Sequence, residues 1–84
     1  MSWEDRSGRI DHDAPTTIWQ QVADDITADI QSSELSPGSR LPSEAELAEL
    51  YGVARGTVRR ALASLIKQET VTSVHGRGTF VMRQ

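Results

Sequence analysis

The run Ser43-Glu44-Ala45-Glu46-Leu47-Ala48-Glu49-Leu50-Tyr51-Gly52-Val53-Ala54-Arg55-Gly56-Thr57-Val58-Arg59-Arg60-Ala61-Leu62 decides the fold. Ser43 followed three residues later by Glu46 is a capping box: the hydroxyl accepts from an early helix amide, and the glutamate reaches back to the cap amide. Glu44 and Glu46 also lie where the positive end of the helix dipole favours carboxylates. Leu47, Leu50 and Tyr51 carry the helix forward to Gly52, which can take the left-handed conformation that ends helices. Only Val53 and Ala54 then precede a second helical pattern, in which Val58, Leu62, Leu65 and Ile66 recur at i, i+4, i+7 and i+8. Two helices joined by a turn of about three residues containing glycine have the spacing of a helix-turn-helix.

Upstream, Ile18, Val22, Ile26 and Ile30 repeat every four residues, an apolar stripe for a helix opening at Thr16 or Thr17 and fraying near Ser32-Ser33. Asp24, Asp25 and Asp29 fall on its other faces, read as solvated charge rather than a metal site. Leu35 leads into the turn Ser36-Pro37-Gly38, and Arg40-Leu41 before Pro42 is biased to extended backbone. Downstream of Glu69 the period changes: residues 70–74 are strand-like, His75-Gly76-Arg77-Gly78 is a loop, and residues 79–82 return. Residues 1–15 are polar and aperiodic, with Trp3 and Ile10 the exceptions, and are expected to be a flexible N-terminal tail ahead of a folded unit over 16–84. The fold class expected is mainly α with a small antiparallel β-sheet.

Length and composition bound the function. Eighty-four residues make one domain with a modest core. No apolar run approaches the roughly 20 residues that cross a bilayer, and the first ten residues lack the apolar segment of a secretory signal. The absence of cysteine removes disulfides, thiolate chemistry and cysteine-based zinc sites, and fits a reducing cytoplasm. His12 and His75 are a poor metal set. No nucleophile–base arrangement or cofactor motif is visible, so neither an enzyme nor a cofactor is expected. The net charge of −3 argues against nucleic acid until it is divided along the chain. Residues 1–50 hold 11 acids and 3 bases, while residues 51–84 hold 6 bases and the single acid Glu69. A phosphate backbone senses the local field, and residues 51–84 are basic.

The basic half concentrates on the second helix of the pair and on the hairpin. Arg55 and Arg59, one turn apart, project from one side of the helix start, and Arg60 is rotated about 100° from Arg59. Residues at that end of the second helix reach base edges in a major groove, where an arginine fork matches guanine O6 and N7. Thr57 and the amides of residues 55–57 suit phosphate. His75, Gly76 and Arg77 at the hairpin tip suit a narrow groove or phosphate. The sequence leaves two plainer readings open: exposed arginines that only solubilise a face, and an ordinary polar hairpin.

The stretches Ile18 to Asp24, Leu35 to Glu44, Leu47-Ala48, Tyr51-Gly52-Val53, Arg55, Thr57 to Leu62 and His75 to Val81 resemble the DNA-binding domain of GntR-family transcription regulators. The Gln20-Gln21-Val22-Ala23-Asp24 run is most similar to the HutC-like and YtrA-like branches. The resemblance implies a winged helix-turn-helix, three helices plus a β-hairpin wing. It implies binding as a dimer to double-stranded DNA at an inverted-repeat operator in a bacterial cytoplasm, most often as a repressor. DNA contacts would fall at Ser43, Glu44, Arg55, Gly56, Thr57, Arg59, Arg60, His75, Gly76 and Arg77. A small-molecule effector would bind a C-terminal effector and dimerisation domain that this chain is expected to lack. Ala45, Ala54 and Gly56 depart from the family pattern of Arg at the first and Ser or Thr at the others, and Glu69-Thr70 replaces its acid–glycine helix end. The alternative is a winged-helix module for protein–protein contact, whose mark would be an exposed apolar patch on the third helix.

Overall fold

The hydroxyl of Thr17 accepts from the amide of Gln20 and opens the first helix, α1, over Ile18–Gln31. In this computed structural model, which describes residues 3–82, α2 follows over Glu44–Tyr51 and α3 over Arg55–Lys67. A two-stranded antiparallel sheet closes the chain, β1 (Val71–Val74) against β2 (Gly78–Val81), with Val71 opposite Val81 and Val74 opposite Gly78. The capping box at α2 is complete: Ser43 Oγ accepts from Glu46 N at 3.1 Å and Ser43 N donates to Glu46 Oε1 at 3.0 Å. Gly52 ends α2 with φ of +66°, which puts the turn to α3 where the glycine placed it.

The core lies between the three helices and the root of the sheet. Val22 and Ile26 of α1, Leu47 and Tyr51 of α2, Val58, Ala61 and Leu65 of α3, and Val71 and Val81 of the sheet are all buried. Ile66 departs from the expected stripe: it is 40% exposed, and Ala61 takes the buried place. Ile66, one position past buried Leu65 and so rotated about 100° from it, lines a groove together with Ser73 and Thr79 of the sheet. The segment 38–41 runs along β2 without forming a strand of its own. Gly38 N donates to Val81 O, Val81 N to Ser39 O and Leu41 N to Thr79 O, each at 2.8 Å, with Arg40 bridged to Phe80.

Helix α3 ends without glycine. Glu69 takes φ of +60°, its amide donates to Ile66 O at 3.0 Å, and Thr70 N donates to Leu65 O at 2.9 Å. That is the paired bonding of a Schellman cap, formed by a residue that carries a side-chain cost in the left-handed region.

The expectation of a flexible tail over 1–15 does not describe what Trp3 to Ile10 do. A short 3-10 turn over Ser7–Arg9 lies against α2, and Ile10 joins the core. Arg6 is 2% exposed. Its Nη1 donates to Asp25 Oδ2 at 2.8 Å, to Asp29 Oδ2 at 2.5 Å and to Tyr51 Oη at 3.2 Å, and its guanidinium lies 4.2 Å from the Trp3 ring centroid. Asp25 and Asp29 sit one turn apart on α1, so the two carboxylates converge on one cation. Composition read those charges as solvated; a buried cation paired with two acids is the exception that composition cannot show. The folded unit therefore starts ahead of residue 16. Met1 and Ser2, at the head of the expected tail, and Arg83 and Gln84, at the end of the expected 16–84 unit, lie outside the described residues.

Candidate nucleic-acid interface

The first turn of α3 is built to face outward. Val58, Ala61 and Leu65 anchor the helix from inside, which leaves Arg55, Gly56 and Arg59 exposed and Thr57 half-buried. Ala54, the cap residue, offers no side-chain acceptor, and the amides of Arg55 and Gly56 have no hydrogen bond among the described residues. Free amides at a helix start carry the positive end of the dipole and suit an anion.

Arg59 is held from α2. Its Nε donates to Glu44 Oε2 at 3.1 Å and its Nη2 to Glu44 Oε1 at 2.7 Å, while the Arg59 side chain stays 69% exposed. The Arg59 guanidinium holds the Glu44 carboxyl below the usual carboxylate range, with Arg55 adding to the effect, and Glu44 in turn raises Arg59. Ser43 stands next to this pair, with its oxygen committed to the helix cap.

The sheet stands beside the same face. A groove of about 280 Å³ is lined by Glu44, Arg59, Leu62, Ile66, Ser73 and Thr79, so the wing strands run next to the exposed side of α3. Beyond them the exposed turn of His75, Gly76 and Arg77 forms the tip, closed by Arg77 N donating to Val74 O at 3.0 Å. At Gly78 the backbone is approached closely from within the chain: a Cβ there would meet Arg40 Nε at 2.9 Å. Arg40 thereby adds a cation at the root of the wing that sequence patterning did not single out.

Thus Glu44, Arg55, Gly56, Thr57 and Arg59 come together, with the wing tip alongside. Arg60 does not join them. Its guanidinium lies 4.9 Å from the Trp19 ring centroid, on the α1 side of the helix. Among the described residues no three of His, Cys, Asp and Glu gather to hold a metal ion, and no helix is long and apolar enough to cross a membrane.

The family model for bacterial regulatory proteins of the gntR family matches residues 18–81. The HTH-type transcriptional repressor NagR of Bacillus subtilis is 39% identical over 74 residues, which is 88% of this chain and 30% of NagR. The GntR-family transcription factor YtrA from Sulfolobus acidocaldarius superposes with a TM-score of 0.84 at 37% identity, over 89% of this chain and 79% of that one. The AraR DNA-binding domain in complex with operator ORE1 superposes with a TM-score of 0.77 at 33% identity, over 86% of this chain and 88% of that one. The chain thus spans less than a third of the length of NagR.

Proposed function

The chain belongs to the gntR family of bacterial regulatory proteins, and we propose that it binds duplex DNA sequence-specifically as the operator-reading part of a transcriptional repressor. The observation that carries this reading is the exposed first turn of α3, where Arg55, Thr57 and Arg59 project beside a basic wing tip while two helix amides have no partner among the described residues. In this reading α3 enters the major groove, and Arg77 and His75 reach the adjacent minor groove. An inverted repeat would take two copies, paired on the DNA or through the rest of a longer protein, and a small-molecule effector would act through that further part in the cytoplasm. The NagR repressor and the AraR–operator complex support it by likeness. No chemistry is assigned to the chain: its relatives are regulators.

The test is selection of bound duplexes from a random pool, followed by anisotropy titration of the winners. Arg55→Ala should relax preference at one base position, whereas equal loss on every sequence would reject base reading by Arg55. Affinity should fall with salt by about 0.9 log units per log unit of salt for each phosphate neutralised. A chain that enriches no duplex, but captures a protein through Ile66 and Val74, would favour the protein-contact alternative.

A further inference from the structure

The Glu44–Arg59 pair is placed too carefully, and contributes too little stability, to be ornament. Exposed ion pairs stabilise a fold only slightly. Yet this one spans fifteen residues, bridges α2 and α3, and uses two parallel hydrogen bonds. Glu44 is itself fixed, because the capping box on either side of it sets the start of α2. Its carboxylate takes one edge of the guanidinium, the edge formed by Nε and Nη2. The opposite edge, Nη1 with the second hydrogen of Nη2, has no partner among the described residues and lies in solvent.

We propose that Glu44 is a positioning residue that determines specificity: it holds the Nε–Nη2 edge of Arg59 so that the Nη1–Nη2 edge is the one presented to a guanine. This rests on the DNA-binding reading above. An unrestrained arginine can swing to a phosphate or approach a base by either edge. Fixing the fork lowers the ordering cost of one geometry and none of the others. The carboxylate also offsets the charge of Arg59, so phosphate attraction falls to Arg77 and the amides at the start of α3, and Arg59 is kept for base reading.

The experiment uses the 84-residue chain, the selected duplex and its single-base variants. Arg59→Ala first identifies the base pair that Arg59 reads. Glu44→Gln should leave the thermal midpoint little changed and raise affinity for unselected duplex. Its salt slope should steepen by up to about 0.9, as the released arginine takes a phosphate. Discrimination at the Arg59 base pair, about 5–150-fold for a good bidentate contact, should largely disappear. Glu44→Asp keeps the charge but lacks the reach, and should lose discrimination in the same way. The Nε–H resonance of Arg59, protected in the free chain, should stay protected on the duplex and lose that protection in Glu44→Gln. Full discrimination by Glu44→Asp or Glu44→Gln, while Arg59→Ala loses it, overturns the proposal, as does loss of the Nε–H protection when wild type binds. If the wild-type chain prefers no duplex at all, the DNA-binding reading fails, and this one with it.

Discussion

Replacing Arg6 by methionine is the sharpest test of how the N-terminal segment belongs to the fold. Methionine keeps the apolar length of the side chain and removes the cation from a site that is 2% exposed. Two acids then face each other without their shared partner: Asp29, with its side chain 11% exposed, and Asp25, at 21%. Breaking a buried ion pair by deleting one member costs about 3–5 kcal/mol. Here the cost is reduced, because Asp25 keeps Arg9 at 3.1 Å and the hydroxyl of Tyr51 at 2.7 Å and is open to water. We therefore expect a loss of about 2–4 kcal/mol, against a total of about 4–13 kcal/mol for a domain of this length. In urea, with a slope near 1 kcal/mol per molar, the midpoint should fall by about 2–4 M. Adding Asp29→Asn should recover part of the loss, because the amide needs no cation, and the cycle should show more than about 1 kcal/mol of coupling. A single variant within about 0.5 kcal/mol of wild type, or an additive double variant, would refute the claim that Arg6 neutralises α1.

Acid should act on the same cluster. Burial pushes the Asp25 carboxyl upward, but hydrogen bonds from Tyr51, Arg9 and Arg6 outweigh it and hold the group below its ordinary value of 3.8. Its contribution is therefore complete above about pH 4 and is lost as pH falls through the lowered value, so Asp25→Asn should flatten the acid limb of a stability-versus-pH curve. Glu69→Gly should raise stability by about 1 kcal/mol, seen as about 4–8 °C in thermal midpoint, since Glu69 ends α3 at a positive φ. Gly56→Ala should stabilise by about 0.5–1 kcal/mol, because a Cβ there meets nothing within 4 Å; a destabilised variant in urea would contradict it. Gly78→Ala should cost roughly 1–3 kcal/mol, as the new Cβ meets Arg40 at 2.9 Å with φ at +122°, and an unchanged midpoint would show that Arg40 moves freely.

Much of the fold was legible one turn at a time. The capping box at Ser43, Gly52 at the end of α2 and the apolar spacing of α1 each rest on residues within about four positions of one another, and each stands where it was expected. The same holds for the hairpin, where the change of period at Glu69 marks the end of helix. Arg55, Thr57 and Arg59 could be placed on an exposed helix start because Val58 fixes which side faces inward.

What the sequence could not disclose is which side chains meet across long separations. Arg6 reads as a solvated charge in a polar tail until Asp25, Asp29 and Tyr51, from 19 to 45 residues away, close around it. Arg60 and Arg59 look equivalent in a list of cations. Packing sends one to Trp19 and the other to Glu44. Local rules of spacing and capping act along the backbone and are written into the order of residues. The partner of a charge is set by how helices cross, and that is decided only when the core closes.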